Sequence, residues 1–517
     1  MKHNLLVHTS KGEVVLDAEH GANLFQLLKD NGYAPTSPCG GRGVCGKCKV
    51  LCKGALSELT DEERSVFDVE MIRDGWRLSC VTKILGDAEV TVPENAKPDI
   101  CADFEEPEIT GEAMFQNYGA AVDIGTTTVC VRLYDANGFL STAAAPNPQA
   151  AYGADVISRI GAQLAGNGDS LKSLVCDCIA SLLKEAAKKA GIPYSGIDAI
   201  VITGNTAMLC LLTNTDTEPM SHMPFASKDY FGRYVAPREL GLQADKVYLP
   251  ACISPYVGAD ITCAVLACGM QDRTDTVLLA DIGTNGELVL SKNGKTTCCA
   301  TAAGPALEGA GITCGSMAVP GAIDTVRAED GKLVCTTIGG KPAAGICGSG
   351  IIDAIAAFLD AEIMEDSGLL DDECEIAPYL DDEQAIGLTD NVYVSQKDVR
   401  MVQLAKSAIC AGMRTLIKNQ HCTEADVAEL LVAGGFGKHI RFESAAKIGL
   451  IPPTLEEKAV AVGNAALAGA SMILRDTKYT DVATSIAENC KAIELDQDPA
   501  FMDFYTSGML FGEDEDF

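Results

Sequence analysis

The chain has 517 residues, 47% of them hydrophobic, which is enough for roughly two to four domains with cores of their own. A formal charge of −32 with no strongly basic stretch sets it against nucleic acid and anionic membranes, so neither is expected as a partner. Acidity of this size serves solubility, or else a docking face for a specific protein; the tail Gly512-Glu513-Asp514-Glu515-Asp516-Phe517 reads as a solvated end.

Met1-Lys2-His3-Asn4 leads into an alternating strand pattern and not a signal peptide, so a cytoplasmic location is expected. The spacing predicts strands over Asn4–Thr9 and Glu13–Leu16 joined at Lys11-Gly12, then a short helix over Ala22–Lys29. Twenty-two cysteines in such a chain are not expected to form disulfides, and most sit singly in apolar stretches. Four do not. Cys39, Cys45 and Cys48 fall in Cys39-Gly-Gly-Arg-Gly-Val-Cys45-Gly-Lys-Cys48, and Cys80 follows after 31 residues. This C-x5-C-x2-C…C pattern is one residue longer in its first gap than the plant-type spacing for a [2Fe–2S] cluster. Glycines 40, 41, 43 and 46 let the loop turn N–H groups toward the sulfurs. Thr60-Asp-Glu-Glu63 is a capping box opening a second helix, and Trp76–Cys80 reads as a strand returning the last ligand. Hairpin, helix and cluster loop in this order resemble a ferredoxin-like β-grasp domain. A zinc site is the competing reading, with Cys52 as the one substitute ligand, but zinc sites usually pair two such knuckles. Dinucleotide and P-loop matches within the same loop are rejected, because neither follows a strand nor opens a helix.

Residues 94–116, acidic and aperiodic, are expected to be a linker. Beyond it the chain repeats itself. Asp123-Ile-Gly125-Thr126-Thr127-Thr128 ends one apolar strand, and Asp281-Ile-Gly283-Thr284-Asn285-Gly286 ends another 158 residues later. Each is followed by a second strand and an Asn-Gly turn, at Asn137-Gly138 and Asn293-Gly294, which argues for a duplicated domain. A glycine in such a turn lets backbone N–H groups face a phosphate, and threonine hydroxyls add donors. An aspartate at the strand end can hold a Mg²⁺-bound water or orient the attacking one. Gly434 and Gly435, after the apolar run Glu429–Ala433, suit flat contact with an adenosine. Gly345-Ile-Cys-Gly348-Ser-Gly350 precedes an apolar helix expected over Ile351 to Met364, as an anion site or a packing contact. Gln396–Asn419 is an amphipathic helix begun by a Ser395…Asp398 box, and His222 and His439 stand isolated. Ala459–Leu474, about 16 residues and broken by Gly463, Asn464, Gly469 and Ser471, reads as a buried helix too short to span a membrane.

The paired Asp-Ile-Gly-Thr turns with Ala433-Gly-Gly-Phe-Gly437 resemble the superfamily of acetate and sugar kinases, Hsp70 and actin. Together with the ferredoxin-like region, and with Thr203–Ala207, Val257–Asp260, Ala303–Gly311, Ser395–Asp398 and Gly463–Ala468, the whole chain is similar to the reductive activators of corrinoid proteins. The fold class expected is α+β and α/β, a β-grasp [2Fe–2S] domain followed by a duplicated ribonuclease-H-like ATPase fold. The boundaries expected are 1–93 for the ferredoxin-like domain, 94–116 for the linker, 117–272 and 273–475 for the two halves, and 476–517 for a C-terminal extension.

The resemblance implies a [2Fe–2S] cluster on Cys39, Cys45, Cys48 and Cys80. It implies ATP and Mg²⁺ on Asp123, Gly125, Thr126, Thr127, Gly283, Thr284, Asn285, Gly286, Gly434 and Gly435, with Asp281 and Glu308 in the catalytic role. The implied partners are a corrinoid methyl-transfer protein and an upstream low-potential electron donor, and the implied assembly is a homodimer. Cobalt(II) must be reduced below the ~−400 mV of a plant-type cluster, and every ~59 mV uphill costs tenfold, so the transfer needs coupling to ATP. A small-molecule kinase, or a nucleotide-binding redox sensor with a regulatory iron–sulfur domain, stands as the alternative.

Overall fold

The computed structural model describes residues 2–9, 12–33, 35, 37, 41, 43, 46–67, 69–93, 102–107, 109, 111–435 and 439–512. It divides into two compact units, Met1–Lys97 with Gln149–Ala154, and Pro98–Pro148 with Asp155–Phe517.

The first unit is built on a mixed sheet in the order Gly12–Glu19, Lys2–Thr9, Lys83–Thr91, Lys49–Leu56, Trp76–Leu78. The first and last long strands, Lys2–Thr9 and Lys83–Thr91, run parallel at its centre. Alternation puts Leu5, Val7, Val50, Ile84 and Val90 on one face, where Leu24 and Leu28 of the helix Leu24–Asp30 cover them. This is the β-grasp arrangement. The helix starts two residues later than expected because Asn23 stays extended and caps it, accepting from the Gln26 N–H at 3.0 Å. Ala22–Asn23 is instead a short strand against Lys83–Thr91. The strand expected to reach Cys80 ends at Leu78, since the Thr82 N–H turns back to the Leu78 carbonyl.

The second unit carries the duplication. One sheet runs Phe231–Val235, Lys246–Ala251, Ile197–Gly204, Tyr118–Ile124, Thr128–Asp135, Gly138–Pro146. The other runs Ala459–Gly463, Val427–Ala433, Thr276–Ile282, Gly286–Lys292, Lys295–Thr301, with Lys491–Ala492 at its edge. In both, a three-strand antiparallel meander is extended by two parallel strands beside its first strand. That pattern is the ribonuclease-H-like half. The halves share a core in which helix Ala259–Ala267 crosses Ala465–Arg475. At the crossing only glycine fits, because a Cβ on Gly469 would lie 2.0 Å from the Cys263 carbonyl oxygen.

Several expectations are corrected. Ala459–Leu474 is a strand, Ala459–Gly463, and then a helix, Ala465–Arg475, because Asn464 caps the helix and Gly463 takes a φ of +67°. The helix after Gly345 begins at Gly348 and ends at Asp360, so the glycines form its first turn; Gly350 packs against Ile323. Within 94–116, residues 94–101, 108 and 110 lie outside those described. The described remainder is part of the second unit: Ala102, Met114 and Phe115 are buried, and Arg132 is sandwiched between the rings of Phe104 and Phe139 at 4.2 and 4.1 Å. Residues 476–512 are likewise integral, with Ala483 and Ile486 in the shared core and Pro499–Ser507 against Gln396–Asn419. No helix among the described residues is long and apolar enough to cross a membrane.

Candidate functional site

Cys48 and Cys80 meet in the first unit, buried, with their sulfurs 3.1 Å apart in an apolar pocket with Phe25, Phe67 and Leu78. Cys39 and Cys45 lie outside the described residues. The Cys80 segment is held from three sides. Asn23, whose oxygen caps the helix, donates through Nδ2 to the Cys80 carbonyl at 2.7 Å, and the Ser79 N–H and hydroxyl both bond the Cys48 carbonyl at 3.0 Å. The Thr60…Glu63 capping box is present in both directions. Glu63, fully buried, also takes Arg77 Nε at 2.7 Å and the Leu78 N–H at 3.0 Å, which ties the box to the strand before Cys80. Gly41 has a φ of +87°, and a Cβ there would meet the Phe25 ring at 2.8 Å. Backbone therefore approaches the paired thiols where a side chain would not fit, as a cluster loop requires. Cys52, the substitute ligand considered, packs with Leu5 and Val50 instead of the paired thiols, and burial pushes its thiol up to about 12.

In the second unit, both Asp-Ile-Gly-Thr turns open onto one cavity of about 250 Å³. It is lined by Asp123, Gly125, Thr126, Thr127, Asp281, Gly283, Thr284, Asn285, Glu308, Gly434 and Gly435, so all but one of the expected nucleotide and catalytic residues converge. Gly286 stands behind; a Cβ on it would meet Thr301 Oγ1 at 2.6 Å, so it is a packing glycine. Gly348 and Ser349 at their helix start, and His439, also reach the cavity.

Glu308 joins the two turns. Its Oε2 accepts from Thr284 Oγ1 at 2.6 Å and from Thr127 Oγ1 at 3.0 Å, one hydroxyl from each copy. The loop that carries it is anchored by Asp398, which accepts from the Thr313 N–H at 2.7 Å while closing the Ser395 box. Behind the first turn, the fully buried Arg159 donates to the Thr126 carbonyl at 2.6 Å, and Asn147 donates to the Gly125 carbonyl at 2.8 Å. The second turn is closed by the Gly283 N–H on the Asn285 carbonyl at 2.9 Å.

Two acidic residues given no role from the sequence also line the site: Asp260, at the end of the stretch Val257–Asp260 and on the helix Ala259–Ala267, and Glu287, paired across strands with Asp281. Burial pushes Asp123 up to about 6, with the bond from Asn464 opposing. Burial, with the charges of Asp123 and Glu308, pushes Asp281 up to about 7. Burial, then the Asp281 charge, pushes Asp260 up to about 8, and Glu287 and Glu308 are raised by burial first. Among the described lining residues there is no lysine or arginine. Hydroxyl and N–H donors beside uncompensated carboxylates suit a phosphate chain only when a divalent cation comes with it. No three His, Cys, Asp or Glu groups among the described residues close on a metal by themselves, so a cation here would need further ligands from water or phosphate.

Comparison with known proteins agrees with this geometry. Residues 7–85 match the model of the 2Fe-2S iron-sulfur cluster binding domain, 118–273 the RACo middle region, and 275–516 the C-terminal domain of RACo, the ASKHA domain. The chain is 33% identical over 426 residues to the corrinoid activation enzyme RamQ of Eubacterium limosum, covering 77% of this chain and 70% of that one. The chain belongs to the RACo family. A second relative is the [Co(II) methylated amine-specific corrinoid protein] reductase of Methanosarcina barkeri, 25% identical over 73% of this chain and 74% of that one. A solved reductive activator for corrinoid, iron-sulfur protein superposes with a TM-score of 0.69 at 27% identity, covering 98% of each chain. Within the family frame, the first unit carries the [2Fe–2S] ferredoxin domain, and the second combines the middle region with the C-terminal ASKHA domain.

Proposed function

We propose that this chain is an ATP-dependent reductive activator, passing one electron to a corrinoid protein stalled as cobalt(II) and so restoring cobalt(I). The observation that carries the reading is a cavity where two copies of one phosphate turn face a shared carboxylate, in a chain whose ferredoxin domain has no use in a kinase. The names of the relatives support the corrinoid target.

Cys39, Cys45, Cys48 and Cys80 would hold the [2Fe–2S] cluster, which supplies single low-potential electrons. Thr126, Thr127, Thr284, Asn285 and the turn N–H groups bind the phosphates, and Gly434 and Gly435 lie against the nucleoside. Asp123 and Asp281 would hold Mg²⁺, which supplies neutralising charge between them and the phosphates. Once the γ-phosphate takes the hydroxyls of Thr127 and Thr284, Glu308 is free to accept the proton of a water. That water adds to phosphorus as the bond to the β–γ bridging oxygen breaks. Hydrolysis then releases an arrangement that ATP binding selected. The same reading includes an upstream low-potential donor, a cytoplasmic location and a homodimer, which sedimentation of the purified chain checks.

The test is anaerobic mixing of the reduced protein with a cobalt(II) corrinoid protein from the same organism. The expected result is an ATP-stimulated absorbance change to cobalt(I). Reduction that ignores ATP, or a phosphorylated metabolite formed in step with ATP use, overturns the reading.

A further inference from the structure

The turn Gly463-Asn464 touches three parts of the second unit at once. The Asn464 side-chain Nδ2 donates to Asp123 Oδ2 at 2.9 Å, on the first phosphate turn. The Gly463 carbonyl accepts from the Gly434 N–H at 3.0 Å, on the nucleoside loop. The Asn464 backbone N–H donates to the Asp103 carbonyl at 3.2 Å, in the segment that leads along the chain from the ferredoxin domain.

None of these contacts is loose. Gly463 has a φ of +67°, and a Cβ there would lie 2.4 Å from the Asp103 carbonyl oxygen, so turn and segment are packed backbone to backbone. The segment is gripped next to that point, with Arg132 donating to the Ala102 carbonyl at 2.9 Å and to Glu106 Oε1 at 2.6 Å. The remaining atom of the Asn464 amide, Oδ1, caps the helix Ala465–Arg475 through the Leu467 N–H at 2.8 Å. Side-chain rotation would therefore break the cap and the Asp123 bond together, so the turn responds as a unit.

We infer that Asn464 is a positioning residue that couples nucleotide at Asp123 to the segment Ala102–Glu106. This rests on the proposed function, in that it takes the cavity to bind MgATP. The physical step is competition for one carboxylate. A cation held by Asp123 would compete with Asn464 Nδ2 for the carboxylate, and weakening of that bond would loosen the hold of the turn on Asp103. The coupling is reciprocal, so movement of Ala102–Glu106 alters nucleotide affinity by the same factor.

The experiment is hydrogen–deuterium exchange on the full-length, cluster-loaded chain with and without MgATP, read at the N–H of position 464, which bonds the Asp103 carbonyl, with binding followed by a fluorescent ATP analogue. Asn464→Ser keeps a side chain that caps the helix but is too short to reach Asp123. Gly463→Ala drives a methyl group into the Asp103 carbonyl. In the wild type, MgATP is expected to change exchange of the Asn464 N–H by about tenfold, ~1.4 kcal/mol. In N464S the nucleotide-dependent change disappears at ATP levels scaled to its own affinity, while the cluster spectrum is unaltered. In G463A exchange is already fast without nucleotide. A wild-type N–H at position 464 that ignores bound MgATP, or an N464S one that responds as the wild type does, overturns this inference alone. A chain that binds no nucleotide overturns the parent reading as well.

Discussion

Replacing Glu308 by glutamine separates chemistry from binding. In the nucleotide-free chain its Oε2 accepts from Thr284 at 2.6 Å and Thr127 at 3.0 Å, the two hydroxyls assigned to the γ-phosphate. Hydrogen bonds to a charged group contribute about 1.5–3 kcal/mol each when buried, and a neutral amide retains about half. The freed hydroxyls face a cavity, so the lower end applies, and ATP no longer competes with a carboxylate. KM for ATP should therefore stay level or fall, by up to about tenfold for ~1.4 kcal/mol. Loss of a general base costs about 10²–10⁴ in kcat, roughly 3–5 kcal/mol in the barrier. Glu308 is raised by burial, so wild-type kcat should also fall as pH drops and the carboxylate takes up its proton. Phosphate release measured beside fluorescent-nucleotide titration gives kcat and affinity independently. An E308Q enzyme with kcat within about threefold of wild type, or with KM raised and kcat unchanged, would refute the assignment.

Cys80→Ser removes a buried thiol from the paired site and should abolish the [2Fe–2S] absorbance and EPR signal while nucleotide titration is unchanged. Gly434→Ala forces a side chain into a φ of +91° and 2.7 Å from Asp281 Oδ1, so nucleotide binding should fall at least about tenfold, read by the same titration. Asp281, raised to about 7, binds its proton more tightly folded than unfolded, so its stabilising protonation is complete near pH 4 and lost as pH climbs through 7. Asp281→Asn should accordingly raise the melting temperature of the nucleotide-free protein at pH 8 by a few degrees and leave it level near pH 4; equal shifts at both would contradict the burial argument. Excess EDTA should abolish ATP binding, because no lysine or arginine among the described lining residues can substitute for the metal.

The features legible in sequence were those carried by short contiguous motifs. Both Asp-Ile-Gly-Thr turns and the Thr60…Glu63 box follow from local spacing, while Cys80, 32 positions after Cys48, is brought beside it by the sheet. Asp260, quoted only as the end of Val257–Asp260, and Glu287 were given no site role because each is one acid in an apolar element. The available signal was the charge itself, in the first turn of Ala259–Ala267 and at the start of Gly286–Lys292. Ala459–Leu474 read as one helix because periodicity cannot separate a short buried strand from a buried helix. Gly463-Asn464, taken as an interruption, was the boundary. The described part of 94–116 looked like linker because its partners, Arg132, Asn464 and Arg475, lie far along the chain.

The two copies have diverged in a way that suits an asymmetric ligand. The first turn has one residue more than the second: Asp123 is paired with Cys130, seven positions on, whereas Asp281 is paired with Glu287, six positions on. The longer turn supplies a third threonine, Thr128, and leaves the buried Cys130 opposite its aspartate. The shorter turn sets two carboxylates directly across a strand pair, an arrangement that is destabilising unless a proton or a cation intervenes. The first copy is thus richer in donors and the second in negative charge. Glu308 holds hydroxyls from both, and Arg159 supports the donor-rich turn from behind while drawing down the Glu308 carboxyl through its charge. A symmetric pair of turns would grip either end of a phosphate chain equally. This pair offers hydroxyls on one side and a carboxylate pair on the other, and under the proposed function that difference would orient a metal–phosphate complex before any group contacts the nucleoside.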